Sequence, residues 1–331
     1  MPLYFWFIVC TVLSFSSRAN TGDQTEVIYK RALTDLYHLS SAQMQGREHD
    51  TQGSEIAQQY LIRRFAESAV KAFNQYPDYK QAFSFKRALT QIDGTNIIGY
   101  MSNSDTPKPN PKYIVITAHY DHLGIQSRKL FYGADDNASG VAAMLALASF
   151  LPMIDLHHSI IFLATDAEEK GLIGARVALD YFPIELSQIV FNLNLDMIAQ
   201  VGKPAKIHLS GSRSAPQFKT LVEDTRRRLT DSSVKLMGEH RSQRKRTSML
   251  GKVDYRRASD HAVFIQRDIP FLYLGVKAHR LYHTEHDRYE RINQTHFLQV
   301  INIVKQVLIT ADLAIAEKQV SVRVPVSAQT R

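Results

Sequence analysis

Four short apolar segments, each followed closely by histidine or carboxylate side chains, constrain this 331-residue chain more than any other feature. The segments are 113–117 (YIVIT), 160–164, 189–195 and 271–274. Uninterrupted apolar runs of this length are typical of strands that are buried on both faces of a parallel sheet. Ligands bind beyond the carboxyl ends of strands in such sheets, so we expect a functional site where these segments end.

Helical patterns alternate with these strands. Apolar residues recur at helical spacing in four segments, 26–73, 141–151, 171–181 and 297–316. A loop that carries Gly46 and Gly53 interrupts the first of them, and a further strand is expected at Ile97–Tyr100. The alternation favours an α/β fold with three layers, in which helices flank both faces of a mostly parallel mixed sheet. There is no internal repeat, and we expect residues 20–331 to form a single domain.

The first nineteen residues differ from the rest of the chain. Met1–Phe15 is almost wholly apolar, and small and polar residues follow up to Ala19. Such a run is typical of a secretory signal, which predicts a signal peptide at 1–19 and an exported protein, periplasmic or secreted. An uncleaved membrane anchor is the alternative. The only cysteine, Cys10, lies in this segment, so the mature chain would have neither disulfides nor thiolate ligands.

The excess of basic residues is concentrated in one stretch. The formal net charge is +8, and between Arg226 and Arg257 eleven Lys and Arg residues stand against three acidic ones. We interpret 226–257 as a basic insertion in the domain. It is either a solvated surface or a rim that attracts acidic substrates or contacts an anionic envelope surface. Nucleic acid binding is not predicted, because no recognition motif accompanies the charges.

Potential metal ligands follow all four apolar segments. His119 and Asp121 follow the first, Glu168 and Glu169 the second, Asp196 the third and His283 the fourth. Zinc accepts imidazole nitrogen and carboxylate oxygen, and a catalytic zinc keeps one position open for water. Two ions at ~3.5–4 Å need a carboxylate between them. The loop 133–140 (GADDNASG) offers Asp135 and Asp136 for this bridge, with helix capping as the alternative reading of its Asp and Asn residues.

The adjacent Glu168 and Glu169 predict two different roles. Neighbouring side chains point in different directions, so one carboxylate can bind a metal while the other faces the water that the metal activates. The pair lies between an apolar strand and Gly171, which argues against an ordinary solvated surface pair. The serine-hydrolase pattern Gly-x-Ser-x-Gly and the zinc pattern His-Glu-x-x-His are absent from the sequence. The residues therefore predict metal-assisted hydrolysis with a glutamate as general base.

Six short motifs occur in the order AHYDHLG, GADDNASG, AEEKGLIGA, NLDMI, SDH and HTEHD. Together they resemble the co-catalytic dizinc aminopeptidase family of the bacterial exported type, which is related to glutamate carboxypeptidase and glutaminyl cyclase. The resemblance runs from about Leu33 to Ala316, nearly the whole mature chain. Gly46-Arg47 and the segment 96–99 are similar to the family's amino-terminal lead-in.

The resemblance implies a role for each matching residue. His119 and Asp196 would hold one zinc, Glu169 and His283 the other, and Asp136 would bridge the two. Glu168 would be the general base, and Asp121 would fix the ring of His119. The cofactors implied are two Zn²⁺ per chain, for which Co²⁺ or Mn²⁺ could substitute because nitrogen–oxygen sites discriminate weakly between metals.

Other polar residues of the motifs are expected to be structural. Asp135 would support the bridging loop, and Asp287 would orient His283 through the family's HxxxD spacing. Ser259-Asp260-His261 is interpreted as supporting structure and not as a catalytic triad. We expect loop or packing roles for three other histidines, His122, His261 and His279. His286, three residues after His283, is the alternative to His283 as the metal ligand.

The activity implied is that of an exported zinc-dependent aminopeptidase, in which a metal-bridging hydroxide hydrolyses N-terminal peptide bonds and Glu168 takes the proton. A single-zinc glutaminyl cyclase and a non-catalytic peptidase-like binding domain are the alternatives. Such cyclases typically lack the DDNASG loop and line their pocket with tryptophan, whereas the mature chain keeps DDNASG and loses Trp6 with the signal. Peptides are the expected substrates. Residue preference, amino- versus carboxy- or dipeptidase action and oligomeric state stay open.

Overall fold

The computed structural model of the chain describes residues 21–87, 90–104, 110–240 and 254–323. The predicted signal peptide at 1–19 and the most basic part of the predicted insertion, 241–253, lie outside these residues. The α-helices are α1 (Thr21–Leu39), α2 (Gln52–Glu67), α3 (Gly140–Phe150), α4 (Ile173–Asp180), α5 (Leu221–Arg228), α6 (His261–Ile265) and α7 (Gln294–Arg323). The strands are β1 (Lys80–Arg87), β2 (Thr90–Met101), β3 (Tyr113–His119), β4 (Ile125–Gln126), β5 (Lys129–Leu130), β6 (Ser159–Thr165), β7 (Ile189–Leu195), β8 (Lys206–Ser210), β9 (Lys235–Met237) and β10 (Phe271–Gly275).

Eight strands form one mixed sheet in the order β1-β2-β6-β3-β7-β10-β8-β9. The central strands β6, β3, β7 and β10 run parallel to one another. On either side of them, β2 pairs antiparallel with β6 and β8 pairs antiparallel with β10. The four central strands contain the four apolar segments that the sequence analysis identified, so their carboxyl ends meet at one edge of the sheet.

Helices cover both faces of this sheet. On β3, Ile114 and Ile116 belong to the apolar core that includes residues of α1, α2, α3 and α7, whereas Val115 belongs to the opposite core with residues of α4 and α6. Successive side chains of a strand point to opposite faces, so a continuous apolar strand contributes to both cores. This arrangement confirms the predicted three-layer α/β fold with a mostly parallel mixed sheet.

A buried ion pair joins the first two helices. Arg64 of α2 donates hydrogen bonds of 2.8 and 3.1 Å to the carboxylate of Asp35 on α1, and the Tyr60 hydroxyl donates another of 2.6 Å. These hydrogen bonds offset the cost of removing the Asp35 charge from water. The contact fixes α1 against α2 and so positions the turn Ala42–Arg47 that connects them.

The structure differs from the predicted elements mainly at the sides of the sheet. β1, β8 and β9 were not predicted, because these strands are short or partly polar and give no continuous apolar signal. The predicted helix 26–73 is two helices, and Gly53 lies in the first turn of α2 and not in the loop before it. Thr51 caps this helix by accepting a hydrogen bond from the Ser54 N–H. Part of the predicted basic insertion, Lys235–Met237, is the edge strand β9.

The final helix α7 is long and apolar enough, by composition, to cross a membrane. More than half of its most apolar part is nevertheless buried within the fold. Phe297, Val300 and Val304 are fully buried in the core that α7 shares with α1 and α3. Packing therefore accounts for its apolar composition.

Candidate metal centre

The central strands bring their polar residues to one edge of the sheet. His119 is the last residue of β3, and Asp196 follows β7 directly. Glu168 and Glu169 lie in the loop after β6, and His283 lies in the loop after β10. Because these strands are parallel and in register, residues that are far apart in the chain meet at this edge.

The first cluster consists of His119, Glu168 and Asp196, whose ligand atoms all lie within 4.8 Å of one another. The His119 Nε2 atom is 3.4 Å from Asp196 Oδ1 and also 3.4 Å from Asp136 Oδ1. His119 and Asp196 are buried, and Glu168 is partly exposed. One imidazole and three carboxylates thus converge on this point.

The second cluster consists of His122, Asp136 and Glu169, again with ligand atoms within 4.8 Å of one another. His283 joins them, because its Nε2 atom lies 3.1 Å from Asp136 Oδ2 and 3.2 Å from Glu169 Oε1. Asp136 belongs to both clusters, with Oδ1 towards His119 and Oδ2 towards His283. The structure therefore brings together all five predicted ligands and Glu168, with the predicted bridging residue in the middle.

Hydrogen bonds to the backbone hold Asp136 in this position. The Asp287 carboxylate accepts hydrogen bonds of 3.0 Å from the N–H groups of Asp135 and Asp136. Asn137 Oδ1 accepts the N–H of Gly140 at 3.0 Å and so caps α3. Capping of α3 therefore falls to Asn137, while the Asp136 carboxylate faces the two clusters.

Asp135 and Asp287 both support the bridging loop. Asp135 has a structural role, since its Oδ1 accepts the Ala199 N–H at 2.6 Å and its Oδ2 lies 2.9 Å from His279 Nε2. Asp287 was expected to orient His283, but its carboxylate accepts hydrogen bonds from the bridging loop instead. The HxxxD spacing thus connects the His283 loop to the bridging residue and not to the histidine ring.

Asp121 supports two parts of the site at once. Its carbonyl oxygen lies 3.1 Å from His119 Nδ1, whereas its carboxylate is 3.6 Å away. The carboxylate accepts hydrogen bonds from the N–H groups of Glu168 and Glu169, at 3.0 and 3.2 Å. The contact to His119 thus runs mainly through the backbone of Asp121, and its side chain holds the glutamate loop.

Arg47 is a buried cation behind the site. Its guanidinium donates hydrogen bonds to the carbonyl oxygens of Tyr120 at 2.7 Å, Tyr132 at 2.8 Å and Gly133 at 2.9 Å, and also to that of Leu39. Burial lowers the pKa of Arg47 to about 10, and the nearby carboxylates oppose this shift. The charged side chain therefore ties the turn after α1 to the loops that carry His119 and Asp136.

The clustered side chains shift one another's pKa values. Burial raises the pKa of Glu168 well above its usual range. Burial and the Asp136 carboxylate act to raise the pKa of Glu169, but its contacts with the His122 and His283 rings hold it at about 2. Burial opposes protonation of His283, yet the close carboxylates of Asp136 and Glu169 raise its pKa to about 10. The carboxylates of the second cluster thus stabilise positive charge between them.

Buried atoms without hydrogen-bond partners show that a metal ion fits here. Among the described residues, Asp136 Oδ2 and His283 Nε2 are buried and have no hydrogen-bond partner, although the ion-pair distance between them is 3.1 Å. Buried polar atoms in folded proteins are nearly always paired, and a bound ion would pair these two. The donors around them are imidazole nitrogens and carboxylate oxygens, which is the donor set that zinc accepts.

Buried aromatic rings lie beside the site. His261 stacks on Tyr273 at 4.6 Å between ring centroids, and His240 stacks on Tyr273 at 5.0 Å and on Tyr255 at 4.3 Å. Burial lowers the pKa of His240 to about 3 and that of His261 to about 4, so both rings are neutral at pH 7. His261 therefore has the packing role that was predicted for it.

Sequence reasoning missed two residues of the site. His122 was assigned to packing, yet its Nδ1 atom lies 3.1 Å from Glu169 Oε1. Its position three residues after His119 was the available signal, but a loop leaves the direction of a side chain undetermined. Tyr282, which was not singled out at all, stacks on His283 with 3.8 Å between ring centroids.

Comparison with known proteins identifies relatives. The chain matches the family described as Peptidase family M28 over residues 96–308. It is 35% identical over 120 residues to aminopeptidase YwaD of Bacillus subtilis, a match that covers 36% of this chain and 25% of that protein. It is 27% identical over 202 residues to a probable zinc metalloprotease of Pyrenophora teres f. teres, covering 56% of this chain and 40% of that protein. The chain thus spans between a quarter and two fifths of the length of these two relatives.

Solved structures share the fold. LapB of Legionella pneumophila aligns with a TM-score of 0.64 and 20% identity over 90% of this chain and 75% of that chain. The zinc aminopeptidase BSAP of Bacillus subtilis gives 0.62 and 16%, over 87% of this chain and 95% of that one. A glutaminyl cyclase of Porphyromonas gingivalis gives 0.65 and 19%, over 85% and 97%. The family match covers most of the chain, including all six residues of the predicted metal centre, and the chain therefore belongs to peptidase family M28.

Proposed function

We propose that this chain is an exported zinc metallopeptidase that removes amino-terminal residues from peptides. Its membership of peptidase family M28 supports peptide hydrolysis. The relatives named as an aminopeptidase and as a zinc metalloprotease support the metal and the bond cleaved. The observation that carries the proposal is the position of Asp136, whose two carboxylate oxygens face two separate clusters of metal-type ligands. A carboxylate shared in this way is what a pair of zinc ions requires.

The proposed mechanism assigns a task to each residue of the site. His119 and Asp196 would hold one zinc, Glu169 and His283 would hold the other, and Asp136 would be shared between them. Zinc, when bound, activates a water molecule and polarises the peptide carbonyl. Glu168 lies in the first cluster, where it accepts the proton of the attacking water and passes it to the departing amine.

Hydrolysis of aminoacyl-anilides by the purified mature protein tests the proposal. We expect release of the aniline, its loss on addition of a chelator and its recovery on addition of Zn²⁺. A matching substrate with an acetylated amino group should not be cleaved. The absence of hydrolysis across a panel of aminoacyl-anilides, with protein that carries bound zinc, would contradict the proposed function.

Because the chain shares its fold with a glutaminyl cyclase, peptide hydrolysis and glutamine cyclisation must be distinguished by experiment. A peptide with an amino-terminal glutamine is incubated with the protein, and the products are analysed by mass spectrometry. Release of free glutamine is expected. Loss of ammonia from an otherwise intact peptide would instead show cyclisation. A zinc content well below one ion per chain in carefully prepared protein would favour a non-catalytic binding domain.

Export is proposed from the sequence of residues 1–19 alone. Sequencing the amino terminus of protein recovered from the periplasm or the medium tests it, and we expect a start near Asn20. Protein that is recovered only from the cytoplasm, with Met1 or Pro2 at its amino terminus, would contradict export.

A further inference from the structure

His122 is a buried histidine that the mechanism above leaves without a task. Its side chain is fully buried in the loop after β3. Its Nδ1 atom lies 3.1 Å from Glu169 Oε1 and 3.7 Å from Asp136 Oδ2. These are the same two oxygen atoms that His283 Nε2 approaches to 3.1 and 3.2 Å. The two imidazole nitrogens therefore approach the same two carboxylate oxygens.

The four nitrogen–oxygen separations are close to those between the ligands of a tetrahedral ion. For zinc–ligand bonds of about 2.0–2.2 Å, tetrahedral geometry places the ligand atoms about 3.4 Å apart. The four measured separations, 3.1, 3.7, 3.1 and 3.2 Å, lie on both sides of that value. We propose that His122 Nδ1 is a fourth protein ligand of the second zinc, an inference that rests on the metallopeptidase function proposed above.

The position of the His122 ring is fixed by the bridging loop. A Cβ atom on Gly133 would lie 2.6 Å from two atoms of this ring, closer than non-bonded atoms approach, so the ring packs directly on the glycine. Gly133 also has a φ of +57°, a left-handed conformation that glycine adopts without strain. The backbone N–H of His122 donates to the Arg47 carbonyl at 3.3 Å. The loop thus leaves room for this ring and aims its Nδ1 atom into the second cluster.

A fourth ligand makes the two metal positions unequal. The second zinc would have the four ligands His122, Asp136, Glu169 and His283, the closed arrangement of structural zinc sites. The first zinc would have the three ligands His119, Asp136 and Asp196, the arrangement of catalytic sites, and Glu168 stands beside it. We therefore expect the second ion to bind more tightly, while the first keeps the open position where chemistry occurs.

Zinc titration of the metal-free full chain against a competing chelator tests this assignment. The unmodified protein should bind two zinc ions with different affinities. His122→Ala should weaken the tighter site by more than ~100-fold, beyond the ~10–100-fold typical of losing a residue that only supports a ligand. The matched control is His286→Ala, which removes an exposed histidine near His283 and should leave both affinities unchanged.

A second variant separates ligation from hydrogen bonding. The side chain of His122→Asn can still donate a hydrogen bond to Glu169, but it offers no imidazole nitrogen. If His122 is a ligand, the asparagine variant should lose as much affinity as the alanine variant. X-ray absorption of the zinc-loaded protein should show three imidazoles shared by two ions, and two in either variant. Circular dichroism of the metal-free proteins checks that each variant folds.

Each result has one meaning. If the asparagine variant binds zinc as tightly as the unmodified protein while the alanine variant binds it more weakly, His122 is a positioning residue and the assignment is wrong. If both variants bind zinc as tightly as the unmodified protein, the assignment of His122 as a ligand is also wrong. In each of these cases the unmodified protein binds two zinc ions, so the proposed function stands. Failure of the unmodified protein to bind zinc would instead remove the proposed function and this inference together.

Discussion

At the residue scale, the site gives opposite tasks to two side chains that are neighbours in the chain. The Asp121 carboxylate accepts hydrogen bonds from the N–H groups of both Glu168 and Glu169 and so holds their loop in place. From this loop Glu169 points towards Asp136 and His283, whereas Glu168 belongs to the cluster of His119. Adjacent residues can therefore divide ligation and proton transfer between them.

Replacing Glu168 by glutamine tests this division. The amide cannot accept the proton of the attacking water, so we expect kcat to fall by ~10²–10⁴-fold while KM changes little. The zinc content should stay as in the unmodified protein, because Glu169 and the other ligands remain. Aminoacyl-anilide hydrolysis gives kcat and KM, and metal analysis gives the zinc content. Glu290→Gln on the surface is the matched control. Full activity in the Glu168 variant would remove it as the general base.

How much of the site the sequence predicts depends on how each side chain is fixed. His119 and Asp196 stand at strand ends, where the direction of a parallel sheet decides their location, and their convergence was predictable. His122 lies in a loop, and its direction depends on contact with Gly133, which sequence pattern does not contain. The same holds for Asp121, whose backbone carbonyl orients His119 while its carboxylate binds other residues.

A buried histidine outside the site makes stability depend on pH. The pKa of His240 falls from 6.5 to about 3 on folding, chiefly through burial, so below pH 6.5 the unfolded chain binds a proton that the folded chain does not. The contribution of His240 is complete above pH 6.5 and is lost as the pH falls towards 3. One such group changes the free energy of unfolding by up to ~1.4 kcal/mol per pH unit in this window.

The variant His240→Phe keeps a ring between Tyr255 and Tyr273 but removes the titrating group. Urea denaturation at several values between about pH 4.5 and 6.5 should show a slope of unfolding free energy against pH that is lower by up to ~1.4 kcal/mol per unit. Its stability at pH 7 should also be lower, since Ser210 and the Gly275 carbonyl lose a hydrogen-bond partner. Equal slopes in the two proteins would show that His240 does not contribute.

At the element scale, one buried side chain joins the turn after α1 to two loops of the metal centre. Arg47 donates to carbonyl groups at the end of α1, in the His119 loop and in the bridging loop, which the chain otherwise connects only over long distances. A guanidinium can satisfy several carbonyls at once because its donors have a fixed planar geometry. Helices α1 and α2 therefore support the site although they contribute no ligand to it.

Removing this attachment should be costly. Arg47→Met keeps a long side chain, but four carbonyls, most of them buried, each lose a hydrogen-bond donor, and we expect a loss of at least ~3 kcal/mol in the free energy of unfolding. Arg63→Met on the exposed face of α2 is the matched control and should cost less than ~1 kcal/mol. Urea denaturation followed by circular dichroism gives both values. Similar losses in the two variants would contradict the role assigned to Arg47.

The elements that the sequence predicts are those whose burial is uniform. β3 and β6 are buried along their whole length, so their composition alone indicates strands. β1 is largely polar, and β9 has only three residues and lies at the edge of the sheet, so neither has a periodic signal. Such strands form because a neighbouring strand offers hydrogen bonds, which is a property of the assembled sheet and not of the segment.

At the scale of the whole molecule, a cleft lined by basic side chains lies at the same edge of the sheet as the metal centre. The cleft has a volume of about 800 Å³, and its lining includes Lys203, Lys206, Arg213, Lys277, His279 and Glu239. β8 begins at Lys206 and runs antiparallel to β10, so this end of β8 lies at the same edge of the sheet as the metal centre. The Glu239 carboxylate is already bonded to the backbone N–H groups of Gly211 and Ser212. Cationic side chains therefore dominate the field in this cleft.

We expect this cleft to favour peptides with acidic side chains near their amino terminus. Replacing Lys206 and Lys277 by glutamate should lower kcat/KM for acidic peptides by ~10-fold or more, and added salt should reduce the preference of the unmodified protein. Lys86→Glu, on β1 at the opposite edge of the sheet, is the matched control. A peptide library assay compares the three proteins. An unchanged ratio of acidic to neutral substrates would exclude a role of the cleft in selectivity.

Strand β10 lies between β7 and β8, and this position determines when the sheet can be completed during synthesis. During synthesis β8 and β9 emerge first and have only each other as partners until β10 is inserted beside them. The loop that follows β10 carries His283, so completing the sheet and closing the cation cage belong to one late event. The second cluster is consequently incomplete in a nascent chain that ends before β10, whereas His119, Asp136 and Asp196 of the first cluster have already been synthesised. Tight binding at the second position should await a nearly finished polypeptide.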